Sequence, residues 1–183
     1  VKNLITKYFI GTAKCWSGAT IFWQVDGKGN IRTGKVMLYN PISGKRVKHS
    51  YPHFNWAHNL LRLPEYNLKQ CFFGEHLLDL EPLKPVAIVE SEKSAIIASV
   101  YLPQFIWLAT GGLSGLSAER CKILKGREVK LYPDLGAYYK WETTGKLFGF
   151  TTSNILESKA NDEEKIQGLD IADILLKSNI KKT

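Results

Sequence analysis

Two short apolar runs of this chain each end in a carboxylate. Residues 86–89 (Val-Ala-Ile-Val) lead into Glu90, and residues 129–133 lead into Asp134. Such runs are typical of buried strands, and a parallel α/β sheet gathers ligands and catalytic groups where its strands end. Two carboxylates at one edge can share a divalent cation, because Mg²⁺ binds one or two protein carboxylates and completes its octahedron with waters and substrate phosphates.

The elements that must position these acids follow from the periodicity. Beyond residue 85, strand-like and helix-like runs alternate, which predicts a parallel sheet with crossover helices. The predicted strands are 86–89, 105–109, 128–132 and 151–156, and the predicted helices are 91–101, 117–124, 137–147 and 171–178. Upstream, residues 21–25 and 31–39 flank a Gly-rich turn and predict an antiparallel meander. The sequence therefore predicts an α/β subdomain over 85–183, preceded by a small β-rich subdomain over 1–84.

Charge is distributed unevenly over the 183 residues, whose net charge is +8. Residues 1–84 contain twelve Lys or Arg and five acids, and residues 27–64 contain no acid at all. A sequence-independent phosphate contact needs such a positive field, and aromatic residues between the cations can stack bases. We name residues 27–64 the basic segment and predict that it binds nucleic acid through Lys28, Arg32, Lys35, Lys45, Arg46, Lys48 and Arg62. The competing interpretation is a solvated basic face.

The residues around Glu90 resemble a known family. Val89-Glu90-Ser91-Glu92-Lys93-Ser94-Ala95 is similar to the glutamate motif of Toprim domains, the catalytic module of bacterial and phage-type DNA primases. Asp134-Leu135-Gly136 falls where that family carries Asp-x-Asp, and residues 168–175 resemble its later acidic segment. Residues 72–78 and 20–39 resemble, more weakly, the segments that precede the Toprim strand in primases.

The resemblance implies a fold, a cofactor and roles. It implies a Toprim parallel-sheet subdomain that binds Mg²⁺ or Mn²⁺ through Asp134, Glu90, Asp170 and Asp173. It also implies that Glu90 acts as general base or metal-shell residue when a 3′-hydroxyl attacks a nucleoside triphosphate. Primases of this type usually carry a zinc-binding module ahead of this region; if this chain is a piece of a longer protein, such a module would lie before Val1, outside this sequence.

The chain departs from the family pattern at two acidic positions. Gly136 replaces the second Asp of Asp-x-Asp, and Ser94 stands where an Asp is expected after Glu90. A site with fewer fixed negative charges binds fewer metal ions, or binds them more weakly.

Several of these residues also have structural interpretations. Asp134 is suited to cap the helix predicted at 137–147, and Asp170 with Asp173 is suited to cap the one at 171–178. Lys93 is predicted either to contact phosphate or to be solvated. Gly111 and Gly112 lie in a glycine-rich loop that offers amides to a phosphate or forms a tight turn.

The interpretation we favour is a primase-like Toprim protein that makes primers on single-stranded DNA from nucleoside triphosphates, for a plasmid, phage or conjugative element. A replicative helicase is a candidate partner. Two alternatives stay open: a degenerate Toprim that only binds single-stranded DNA, and a Toprim nuclease.

No run is apolar enough for a membrane span. The three cysteines form no Cys-x-x-Cys pair, which predicts reduced thiols in a cytoplasmic protein.

Overall fold

A computed structural model describes residues 1–48 and 51–180 of the chain. It divides into two compact units, residues 1–76 and 77–183, whereas the boundary between subdomains is predicted at 84/85. Within the described ranges, no helix has the length and apolar character that crossing a membrane requires.

The N-terminal unit is built on an antiparallel sheet of four strands in the order β1-β2-β3-β4. The helix α1 (Lys2–Lys7) comes first, and a short helix α2 (Ala57–Leu60) follows the last strand directly. The strands are β1 (Ile10–Ala13), β2 (Ala19–Val25), β3 (Ile31–Met37) and β4 (Phe54–Trp56). The predicted meander is therefore present, with β4 as an edge strand.

The alternation along β2 explains why both faces of this sheet are covered. Successive side chains of a strand point to opposite faces, and Ile21 packs with Ala19 and Val36 into an apolar cluster. Phe22, on the other face, lies edge-on against Phe73, with ring centroids 5.8 Å apart. The turn into β3 is fixed by Asp26, whose carboxylate accepts hydrogen bonds from the amides of residues 28 and 30.

The C-terminal unit alternates strands and helices, as predicted. Its strands are β5 (Val86–Val89), β6 (Ile106–Ala109), β7 (Val129–Leu131) and β8 (Thr151–Thr152). Its helices are α3 (Glu92–Tyr101), α4 (Ala118–Cys121), α5 (Tyr138–Phe148), α6 (Ile155–Lys159), α7 (Asp162–Gln167) and α8 (Ile171–Ile180). A short 3₁₀ turn spans Lys122–Leu124 in this unit. Another spans Glu75–Leu77, across the point in the chain where the first unit ends.

All the strand pairs in this second sheet are parallel, in the order β6-β5-β7-β8. All four side chains of β5 and of β6 are buried, as expected when helices cover both faces of a sheet. Because β6 lies on one side of β5 and β7 on the other, the chain reverses its winding direction at β5. Ligands bind at such a topological switch point in open α/β sheets.

The predicted elements and the observed ones differ near the end of the sheet. The strand predicted at 151–156 is wrong beyond Thr152, because the helix α6 begins at Ile155. The sequence interpretation also omitted α7, although Asn161 and Glu164 form a capping box at its start. In the N-terminal unit, Tyr39 and Arg46 form an isolated bridge outside the named strands.

The three cysteines are free, Cys15 exposed and Cys71 and Cys121 buried. Burial raises the pKa of the Cys121 thiol to about 11. Since the thiolate is the reactive form, Cys121 has the character of an inert core residue.

Arg127 ties the segment before β5 to the rest of the C-terminal unit. Its guanidinium donates to the carbonyl oxygens of Glu81 (3.0 Å), Lys84 (3.2 Å) and Leu78. We expect Arg127→Ala to lower the free energy of unfolding by about 1–3 kcal/mol, because these carbonyls would no longer have a charged donor. Urea unfolding measures this, with Lys125→Ala at an exposed neighbour as the control. Equal stability of the two variants would show that Arg127 is not a structural clamp.

Candidate functional site

Glu90 and Asp134 lie at the carboxyl ends of the two strands that flank the switch point. In the β5–β7 pair, Ile88 is opposite Leu131, and the amide of Tyr132 extends the ladder by donating to the Ile88 carbonyl at 2.8 Å. Glu90 therefore follows β5 directly, and Asp134 lies three residues after β7, at the same edge of the sheet. The sequence prediction that these acids end adjacent parallel strands is confirmed.

A hydrogen-bonded loop, residues 110–115, follows β6 and contacts Glu90. The Gly111 amide donates to the Glu90 carbonyl at 2.9 Å, and the Gly112 amide donates to Thr110 Oγ1 at 3.3 Å. Arg120 donates to the carbonyls of Thr110 and Gly115. These bonds support the tight-turn interpretation of Gly111 and Gly112, whose contact with a phosphate stays a prediction.

Asp134 is not the N-cap of the helix that follows it. The N-cap of α5 is Ala137, three residues further along the chain. The structural alternative proposed for Asp134, an N-cap of this helix, is therefore wrong.

Gly136 is glycine because of its backbone. Its φ is +89°, a left-handed conformation that other residues adopt only with strain. Its amide donates to Oε1 of Glu157 at 3.0 Å. The sequence interpretation overlooked Glu157, because this residue was expected just beyond a strand and lies in α6 instead.

Ser94 connects the start of α3 to Asp170. Its hydroxyl donates to Asp170 Oδ2, and Ser91 Oγ lies 2.9 Å from Ser94 Oγ. A hydroxyl has one proton to donate, so Ser91 is the donor to Ser94. Ser91 also caps α3 by accepting from the Ser94 amide. Position 94 therefore faces an acid of the predicted site, and Ser94 itself is fully buried.

Asp170 and Asp173 cap the helix α8 reciprocally. The Asp173 amide donates to Asp170 Oδ1, and the Asp170 amide donates to Asp173 Oδ2, both at 3.1 Å. The preceding carbonyl, of Leu169, accepts from the Leu135 amide at 3.0 Å. The pair thus lies beside the segment that carries Asp134, but it has the capping role that its spacing also suggested.

The acids at this edge are of the ligand type that one kind of metal site uses. Among the residues that the structure describes, no three His, Cys, Asp or Glu side chains are grouped to hold a metal ion. An all-protein cage is therefore not formed there. Glu90 and Asp134 supply carboxylate oxygens, the ligand type of an ion such as Mg²⁺, which takes one or two carboxylates and keeps waters or substrate oxygens.

The seven cations of the basic segment differ in their surroundings. Arg32 forms an ion pair with Asp26 at 2.7 Å, and Lys35 is buried with its Nζ 5.9 Å from the Phe54 ring centroid. Burial alone would raise the pKa of Asp26, but hydrogen bonds from Asn30 and Arg32 and the Arg32 charge hold it below its ordinary value. The other five cations are exposed: Lys28, Lys45, Arg46, Lys48 and Arg62.

Solved structures of DNA primases share this fold. The chain is similar to the DnaG catalytic core, with 12% identity and a TM-score of 0.58 over 100% of this chain and 73% of that one. It is similar to the primase fragment of the bacteriophage T7 primase-helicase, with 16% identity and a TM-score of 0.56 over 92% and 69%. A DnaG primase catalytic domain bound to single-stranded DNA gives 11% identity and a TM-score of 0.54 over 98% and 71%.

The fold is thus that of primase catalytic cores, and the predicted resemblance and α/β fold class are confirmed. The chain itself belongs to the family described as Domain of unknown function (DUF6371), whose model matches residues 1–135. A comparison with curated proteins finds no match.

Proposed function

We propose that this chain is a primase-type nucleotidyltransferase that extends a 3′-hydroxyl on a single-stranded DNA template with nucleoside triphosphates. The observation that carries the proposal is the placement of Glu90 and Asp134 at the switch point between β5 and β7. The proposal includes primer synthesis for a plasmid, phage or conjugative element in the cytoplasm, with a replicative helicase as partner. A similar fold in a phage primase-helicase supports that setting.

In this proposal Glu90 accepts the proton of the attacking 3′-hydroxyl. The new bond joins that oxygen to the α-phosphorus, and the bond from the α-phosphorus to the bridging oxygen breaks, so that pyrophosphate leaves. Asp134, with Glu90, would hold Mg²⁺ or Mn²⁺, which would neutralise triphosphate charge and activate the hydroxyl. Arg120 and Gly111 hold the 110–115 loop beside Glu90, which keeps this edge of the site fixed.

Primer synthesis on single-stranded DNA with labelled ribonucleotides tests the proposal. Oligonucleotide products that require triphosphates and a divalent ion would support it. Fragments formed without triphosphates would replace it with a nuclease, in which similar carboxylates activate water.

A second candidate is a non-catalytic module that binds single-stranded DNA. The hydrogen bond from Ser94 to Asp170 favours it. Ser94 stands at a position where the primase motif has an acid, and its hydroxyl occupies an oxygen of Asp170, another acid of the predicted site. Binding of single-stranded DNA without synthesis under any divalent ion would support this candidate.

Both candidates need the basic segment to bind single-stranded DNA, as a similar primase domain does. We expect the double variant Lys45→Glu, Arg46→Glu to bind more weakly, because both side chains are exposed in an acid-free stretch. The slope of log affinity against log salt should fall by about 0.7 for each phosphate that is no longer neutralised. Fluorescence anisotropy at several salt concentrations measures both. An unchanged slope would mean that these cations do not contact phosphate.

A further inference from the structure

Among the described residues of the basic segment, two large aromatic rings are exposed. Tyr51 is 53% exposed and Phe54 is 42% exposed. They are three residues apart, so their Cα atoms lie within about 11 Å of each other. Tyr39, the other tyrosine of the segment, packs edge-on against Phe22 with ring centroids 6.2 Å apart. Of the described rings in this segment, Tyr51 and Phe54 thus offer large free surface.

Tyr51 is supported from behind by other rings. It stacks on His53, with ring centroids 4.4 Å apart and planes inclined by 23°. His53 in turn lies edge-on to Trp16 at 5.3 Å, and Trp16 packs on the apolar cluster of the sheet. A ring held in this way loses little conformational freedom when a ligand stacks on it, which lowers the entropic cost of binding.

Phe54 is the outer end of a second row of rings. It lies edge-on to Trp56 at 5.6 Å, Trp56 is followed by His58 at 6.3 Å, and His58 stacks on Tyr66 at 5.3 Å. Two hydrogen bonds fix this row to β3: Thr33 Oγ1 with His58 Nδ1 at 2.8 Å, and the Tyr66 hydroxyl with a β3 carbonyl. Phe54 therefore has a rigid base.

The charge of the basic segment indicates which kind of ligand these rings bind. The basic segment contains no acid, and five of its cations are exposed, so the complementary partner is a polyanion. A polyanion that also presents flat faces to stack on rings is a single-stranded nucleic acid, because stacking on aromatic side chains is sequence-tolerant and needs unpaired bases. A duplex hides those faces.

We propose that Tyr51 and Phe54 are two base-stacking platforms for single-stranded DNA, with the exposed cations of the basic segment holding the phosphates on either side. The proposal deepens the single-stranded DNA binding assigned under the proposed function, and it rests on that function. It assigns recognition of bases to two residues and neutralisation of charge to others.

A salt titration distinguishes the contribution of base stacking to affinity from that of charge neutralisation. We expect Phe54→Leu and Tyr51→Leu each to weaken binding of an oligothymidylate by about fivefold or more, from stacking energies of about 1–3 kcal/mol per base. The slope against log salt should stay unchanged, because both variants keep every cation. An abasic oligonucleotide with the same number of phosphates should bind the wild type and both variants equally.

The controls keep a loss of fold distinct from a loss of stacking. Phe54→Tyr and Tyr51→Phe keep the rings and should bind as the wild type does. Tyr139→Leu removes a ring that is 80% exposed in the other unit and should have no effect. Melting temperatures of all variants check that each is folded.

Each result has a distinct consequence. Oligothymidylate binding that is insensitive to both leucine variants, or an equal loss on the abasic strand, would overturn the platforms while leaving the function intact. Tighter binding of duplex than of single-stranded DNA, with the leucine variants affecting both alike, would also overturn them. Absence of single-stranded DNA binding by the wild type would overturn the binding function itself.

Discussion

The Glu90→Gln protein is expected to lose about 10²- to 10⁴-fold in nucleotide incorporation, the usual contribution of a positioned general base. Glutamine keeps the size of the side chain but cannot accept the proton of the attacking hydroxyl. Binding of single-stranded DNA should be unchanged, since the residue lies at the end of β5 and not in the basic segment. Single-turnover incorporation on a primed template, with saturating triphosphate and Mg²⁺, measures the chemical step.

Two matched variants separate the roles at this edge. Asp134→Asn should weaken Mg²⁺ binding in calorimetry, whether or not incorporation occurs. Glu128→Gln changes an exposed acid just before β7, at the opposite edge of the sheet, and should alter neither quantity. If Glu128→Gln reduced incorporation as much as Glu90→Gln, the site would not lie at the switch point.

The Ser94→Asp protein should become dependent on Mg²⁺ for its stability. Ser94 is fully buried and donates a hydrogen bond to Asp170, so an aspartate there faces a carboxylate at close range. Two carboxylates that share a site repel each other, and a divalent cation between them reverses the sign of the interaction. Without metal, we expect the free energy of unfolding to fall by roughly 1–3 kcal/mol relative to the wild type. The melting temperature should then be several degrees lower. Added Mg²⁺ should recover much of this loss.

Ser94→Asn is the control for that variant. It has the size of aspartate without the charge, so its melting temperature should fall through poorer packing and stay insensitive to Mg²⁺. Equal responses of the two variants to Mg²⁺ would show that position 94 does not face the metal site. The alignment to the longer primase motif would then be wrong.

The positions of Glu90 and Asp134 were predictable because the signal for each is local. An apolar run followed by an acid marks the end of a buried strand, and the alternation of strands and helices makes the strands parallel. The same local logic located Ser91 and Ser94 at the start of a helix.

Other features of the site depend on contacts that no local pattern reveals. The bond from Ser94 to Asp170 joins positions 76 residues apart. Glu157 was overlooked since its segment contains β-branched residues, which favour a strand, yet Asn154 precedes a helix there. The pairing of Arg32 with Asp26 was not predicted, because the acid lies one residue outside the acid-free basic segment.

The link between Ser94 and Asp170 also bears on the order in which the protein is made. The N-terminal part of a chain emerges from the ribosome first, and contacts between positions far apart in sequence form late. The strand β5 and the start of α3 emerge long before residues 169–173, whose carbonyl and carboxylate complete the acidic edge. A nascent chain whose Glu90 has left the ribosome therefore still lacks part of the site. The acidic edge is complete only after α8 has been synthesised and has packed against α3.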